Sequence, residues 1–197
     1  MIKRELYMNR IRPFIGGELI KVMTGIRRSG KSVMLELIKE ELAEAGVAPS
    51  QMISINFEDM RYSHLQTATA LHDEIIKRAE GIEGKAYLFF DEIQEVEGWE
   101  KCVNSLRVAL DCDIYITGSN AKLLSGELAT YIGGRYVEFV IYPFSFAEFL
   151  ELYHTIAPSD SIQQCFQKYL LAGGMPYLAN LRYEEEPSRQ YLTDLFI

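Results

Sequence analysis

Cysteine is scarce. Cys102, Cys112 and Cys165 are the only three in 197 residues, too few and too scattered for a disulfide framework or a thiolate metal centre. They read as free thiols, buried or half-buried. Histidine is as sparse, and His64, His72 and His154 form no pair at ligand spacing, so no metal site is expected from them. Long apolar runs are missing too; Ala86–Phe90 is the length of a strand and far short of a membrane span. The opening segment MIKRELYMNRIRPF is charged and lacks the apolar centre of an export signal, so a cytoplasmic chain with no membrane partner is expected. Nor is there an excess of basic residues. With 20 Lys and Arg against 28 Asp and Glu, the net charge is -8, and the overall field repels nucleic-acid phosphates and anionic membranes. Internal repeats and low-complexity stretches are absent as well.

What is present is ordinary globular material, 48% hydrophobic and 24% charged, patterned as alternating strands and helices. Leu19–Thr24, Met52–Phe57, Ala86–Phe90, Asp113–Thr117 and Tyr136–Ile141 read as strands, several of them continuous apolar runs of the kind covered on both faces. Helical spacing fills the intervals. It runs over Lys31–Ala45, then over a segment with Leu71, Ile75 and Ile76 on one face and a Ser63–Gln66 capping box at its start, then over Trp99–Leu110. This alternation predicts an α/β fold with a mainly parallel five-stranded sheet flanked by helices. Past Pro143 the pattern changes: Ser145 and Glu148 form a second capping box, and the rest reads helical, interrupted by Gly173-Gly174-Met175-Pro176 and by the acidic run Glu184–Glu186. The expected division is a core over 1–142 and a small helical lid over 143–197. The terminal YLTDLFI keeps helical spacing with no stop signal, consistent with either a natural end or a cut.

The chemistry is concentrated at Gly25–Ser32, GIRRSGKS, which matches the phosphate-loop pattern G-x-x-x-x-G-K-[ST] at every specified position. It follows an apolar strand and opens a helix, the order the physics requires, because loop amides and a helix N-terminus together favour anionic phosphate. Lys31 is placed to neutralise the β- and γ-phosphates and Ser32 to put its hydroxyl on magnesium. Gly25, Arg27, Arg28, Ser29, Gly30 and Val33 complete the expected nucleotide contacts, with Arg27 and Arg28 reading either as phosphate or partner contacts or as exposed loop side chains. Asp91 and Glu92 end the buried strand LFFDE. Asp91 is the second expected magnesium ligand, and Glu92 is placed to orient the attacking water. An Asp-Glu pair there also serves as a helix cap; the phosphate loop upstream favours the catalytic reading. Thr117–Asn120 (TGSN) ends the next strand, where Ser119 and Asn120 either reach the γ-phosphate or water or cap the following helix. Arg135, after Gly133-Gly134, is either a charge-stabilising finger acting in cis or from a neighbouring copy, or an ordinary surface arginine.

Together IKVMTGIRRSGKS, INFED, LFFDEIQ, TGSNAKLLSGELAT, the GGR at 133–135 and YPFSFAEFL resemble a family of prokaryotic AAA-type ATPases whose C-terminal half is a nuclease-like domain of unknown function. The resemblance covers most of residues 4–182. It implies an additional-strand sheet, Glu92 as catalytic glutamate beside the magnesium aspartate, a sensor at TGSN, a functional Arg135, and GGMP as a lid motif. It also implies that Tyr7 and Ile11, ahead of the first strand, pack against adenine. Family members run to about twice this length, which implies an unidentified protein or nucleic-acid partner acting through the other half, and these residues resemble the isolated ATPase module.

Magnesium-dependent hydrolysis of ATP to ADP is the leading expectation. A nucleotide-gated switch with little turnover and a nucleic-acid-associated ATPase are the alternatives. A phosphotransferase is disfavoured by the water-activating Glu92, and a GTPase by the lack of an Asn-Lys-x-Asp guanine signature.

Overall fold

In the computed structural model, residues 2–118 and 132–195 are described. Five strands form the sheet: β1 (Ile20–Thr24), β2 (Met52–Asn56), β3 (Ala86–Asp91), β4 (Cys112–Thr117) and β5 (Tyr136–Val140). Their order is β2-β3-β4-β1-β5, and every pairing is parallel. Each strand lies within a residue or so of its predicted span. Successive side chains leave a strand on opposite faces, so neighbours such as Phe89 and Phe90 feed different cores. On one face Ile20, Val22, Leu88, Phe90, Ile114 and Ile116 pack with Leu71 and Ile75 of α3 (Ala68–Ala79) and Trp99, Val103 and Leu106 of α4 (Trp99–Ala109). On the other, Met23, Phe89, Tyr115 and Phe139 pack with Met34, Leu35, Ile38 and Leu42 of α2 (Lys31–Glu44) and Tyr7, Met8 and Ile11 of α1 (Glu5–Ile11). Burial on both faces is what a parallel sheet requires. Cys102 is buried in the first core, and burial pushes its thiol up to about 12, so it is inert as a nucleophile.

The start of α3 departs from the sequence expectation. Ser63 lies in a short 3-10 turn (Met60–Leu65), and the helix begins at Ala68, capped by Thr67, whose hydroxyl accepts from the Ala70 amide at 3.3 Å. Residues 66–68 are instead pinned alongside Glu97: Glu97 N donates to Gln66 O and Ala68 N donates to Glu97 O. Those bonds hold Thr67 extended, the backbone an N-cap needs, and delay the helix by a turn.

By its contacts the chain separates into two compact units. One is Glu5–Ile26 with Lys31–Ile141; the other gathers the N-terminal residues up to Arg4, the loop segment Arg27–Gly30 and the chain from Tyr142 onward. The second unit has its own core of Phe149, Tyr153, Cys165, Ala172, Met175, Leu178 and Tyr183. Its helix Phe146–Tyr153 carries the predicted Ser145–Glu148 capping box, and Ile162–Ala172 carries a further one from Ser161 and Gln164. The acidic run straddles a break in the helical pattern: Glu184 lies before the helix, and Glu185 and Glu186 form the first turn of Glu185–Leu195, where negative charge meets the positive end of the helix dipole. Among the described residues no helix is long and apolar enough to cross a membrane.

Candidate nucleotide site

In a parallel sheet ligands collect beyond the carboxyl ends of the strands, and the chemistry-bearing residues of this chain meet there. β1 runs into the loop from Gly25, and α2 begins at Lys31. Asp91 closes β3 and Thr117 closes β4, the strand lying between β1 and β3. The Lys31 ammonium is buried at 5% exposure, donates to the carbonyls of Gly25 and Ile26 at 3.4 Å each, and lies 3.7 Å from the Glu92 carboxylate. Asp91 accepts a hydrogen bond from the Thr117 hydroxyl, and the Ser32 hydroxyl is near enough to favour its charged form. Burial raises its carboxyl above the ordinary range, and those two hydroxyls act in the opposite direction.

Thr117 does more than the sequence suggests for its tetrapeptide. Its hydroxyl donates to Asp91 and accepts from the Glu92 amide at 3.0 Å, so one side chain on β4 fixes both carboxylate-bearing residues. A hydroxyl on the last residue of a buried strand marks Thr117 as a polar candidate, but its partners depend on which strand lies beside β4. Ser119 and Asn120 lie outside the described residues. Glu92 takes the left-handed conformation, φ 55 and ψ 49, which for a side chain with a Cβ costs about 1–2 kcal/mol. That strain turns the chain sharply after β3, and the carboxylate is engaged by Lys31 and by the Gln94 amide.

Within the loop, Gly30 sits at φ +102, and a Cβ there would lie 3.4 Å from the Arg4 guanidinium. Arg4 belongs to no sequence motif, yet it is 2% exposed. It donates to Ser29 O at 3.0 Å, to Tyr142 O at 2.8 Å and to Glu148 at 2.8 Å. Glu148 also closes its helix cap by accepting from Ser145. Burial acts to raise the Glu148 carboxyl, but the bonds from Arg4 and Ser145 outweigh it and hold the group below its ordinary value. Ser29 is buried, with no hydrogen-bond partner for its hydroxyl among the described residues, an orphan that a phosphate oxygen would satisfy. Arg27 is exposed, Val33 is 38% exposed on the first turn of α2, and Arg28 turns its guanidinium over the rings of Tyr177 and Tyr191.

Two expectations meet a different geometry. Arg135 stands just before β5; its carbonyl accepts from the Ile20 amide and its guanidinium donates to Asn104 at 2.8 Å. It therefore lies at the amino end of the sheet, a strand length of about 15 Å from the end bearing Gly25, and does not join the Lys31 cluster of its own chain. Tyr7 and Ile11 are 4% and 0% exposed within the core beside α2, where their apolar surface packs against the helix rather than being offered to a base.

A parallel sheet of this order, a glycine loop joining β1 to a helix, and a carboxylate pair ending β3 with one strand between define the P-loop ATPase fold. The chain belongs to the AAA domain family, whose model matches residues 18–150. An uncharacterized protein of Haemophilus influenzae is 44% identical over 176 residues, covering 89% of this chain and 44% of its own length. One of Methanocaldococcus jannaschii is 34% identical over 189 residues, covering 90% and 41%. The chain thus spans less than half the length of these relatives. Among solved structures it is similar in fold to the Thermotoga maritima RuvB P216G mutant, with a TM-score of 0.58 at 14% identity, covering 98% of this chain and 62% of that one. It is also similar to the Aeropyrum pernix ORC1 protein in complex with DNA, at 0.54, 16%, 98% and 66%. AMPPCP-bound DnaA from Aquifex aeolicus matches at 0.52 and 15%, covering 98% and 67%.

Proposed function

We propose that this chain is a magnesium-dependent ATPase module that binds ATP and hydrolyses it to ADP. The observation that carries the reading is the convergence of Lys31, Ser32, Asp91 and Glu92 at one end of the sheet, with Thr117 joining Asp91 to Glu92. The loop amides and the orphan Ser29 hydroxyl cradle phosphate oxygens. Lys31 neutralises their charge, already held over the loop by two carbonyls. Ser32 and Asp91 are hard oxygen donors suited to magnesium. When bound, magnesium supplies charge neutralisation at the β- and γ-phosphates. Glu92 orients the attacking water, and Arg135 serves a neighbouring copy rather than its own site. The core of residues 1–142 carries the chemistry, and 143–197 is a separate helical region.

The test is phosphate release from ATP with magnesium. Lys31→Ala is expected to lose nucleotide binding, and Glu92→Gln to keep binding while turnover falls by at least about a hundredfold, the usual scale of a lost general base. Normal hydrolysis by Lys31→Ala would sink the assignment. One observation favours a second reading, a nucleotide-gated switch: the Glu92 carboxylate is already taken up by Lys31 and Gln94. That reading predicts tight binding with negligible turnover in the native chain. DNA bound by an ORC1 neighbour makes a nucleic-acid-coupled ATPase the third, and stimulation by duplex DNA that vanishes at higher salt is its signature.

A further inference from the structure

We propose that Arg28, within the nucleotide loop, is a positioning residue that acts through Tyr177 and Tyr191 rather than a phosphate ligand. Its guanidinium lies 5.9 Å from the Tyr177 ring centre and 5.6 Å from that of Tyr191, inside the range of cation–π attraction. The two rings contact each other at 4.9 Å, so one cation seats on a preformed aromatic pair. Tyr177 belongs to the turn Pro176–Ala179 and Tyr191 to the helix Glu185–Leu195, two separate elements joined by this side chain. The backbone at Arg28 is left-handed, φ +64, a conformation that a residue with a Cβ adopts only when its surroundings hold it there.

A second clamp acts on the next residue: Arg4 donates to Ser29 O and is itself fixed by Glu148 and the Tyr142 carbonyl. Residues 28 and 29 are thus held by side chain and by backbone, and both anchors lie in the C-terminal helical unit, to which Arg27–Gly30 belongs. The loop amides present phosphate donors only in the conformation that these anchors impose. If the loop had to be ordered by the nucleotide itself, the apparent affinity would fall by the fraction of chains not ordered beforehand. The coupling is reciprocal: whatever pins Tyr177 and Tyr191 tightens nucleotide binding by the same factor by which nucleotide steadies them.

This inference rests on the nucleotide-binding reading, and a double-mutant cycle separates the two. The probe is Mg-ADP, its dissociation constant measured by calorimetry on the full chain, with thermal unfolding of each variant recorded. Arg28→Ala and Tyr191→Leu are each expected to weaken Mg-ADP about three- to tenfold, the yield of one or two exposed cation–π contacts. The double variant should be no weaker than the worse single, because both changes remove one interaction. Tyr191→Phe, which keeps the ring and discards a hydroxyl that has no partner among the described residues, should bind as the native chain does. Tyr177→Leu repeats the test on a separate element should Tyr191→Leu unfold its helix. Multiplicative losses in the double variant, or native affinity in Arg28→Ala, would overturn the proposal; the former would return Arg28 to the phosphates. A native chain that binds no Mg-ADP overturns the nucleotide reading, and this inference with it.

Discussion

Glu92 illustrates how much a single residue can be asked to do. It holds a backbone conformation suited to glycine, donates its amide to the Thr117 hydroxyl, and presents its carboxylate toward Lys31. Strain of this kind persists where function needs the side chain. Glu92→Gly should therefore raise stability by about 1 kcal/mol, since glycine enters the left-handed region without penalty, while abolishing turnover. Urea unfolding alongside phosphate release checks both halves, and a destabilised Glu92→Gly variant would show that the Lys31 contact outweighs the strain. Asp91 and Lys31 are legible in the sequence because their motifs are local. Thr117 is not, because its role depends on β4 lying beside β3, which no short window of sequence specifies.

At the scale of elements, the GGMP segment shows why a glycine pair interrupts a helical pattern. Gly173 ends the helix Ile162–Ala172 at φ +75. Gly174 then passes so close to Phe144 that a Cβ would stand 2.1 Å from the Phe144 carbonyl oxygen, and its own carbonyl accepts the Phe144 amide at 2.7 Å. Backbone yields poorly, so Gly174→Ala should destabilise the C-terminal unit by about 2–3 kcal/mol, the scale of an overpacked site. Hydrogen exchange over 144–195 should accelerate while the strands keep their protection; unchanged exchange would mean that the Phe144 segment shifts at little cost. The capping box at Ser145 is readable because its four residues carry the whole device. The pattern at Ser63 misleads because long-range bonds to Glu97 reset where the helix begins.

At the scale of the whole molecule, buried ion pairs tie together stretches that are distant in sequence. Lys21 and Asp113 pair with no exposure at all, joined by Tyr115 and the Gly16 amide, and burial lowers the Lys21 ammonium below its ordinary value. Arg4 and Glu148 do the same within the C-terminal unit. Because Glu148 is held below its ordinary 4.5, its contribution is fully present above that pH and is lost as pH falls through the lowered value. Acid unfolding of the native chain should thus include a step below about pH 4.5 that Arg4→Ala lacks, read by near-ultraviolet circular dichroism of the Phe149–Tyr183 cluster. Identical acid profiles would remove Glu148 from the account. By itself the sequence determined the strands, the helices between them, the phosphate loop and the carboxylates that answer it, since each is written in spacing over a few to fifteen residues. Only the tertiary structure decided that β4 separates β1 from β3, that Thr117 links Asp91 to Glu92, that Arg135 lies at the far end of the sheet, and that Arg4 holds the loop. The physical reason is that hydrogen bonds and ion pairs between distant residues depend on strand order and crossover, and periodicity within one segment carries no information about either.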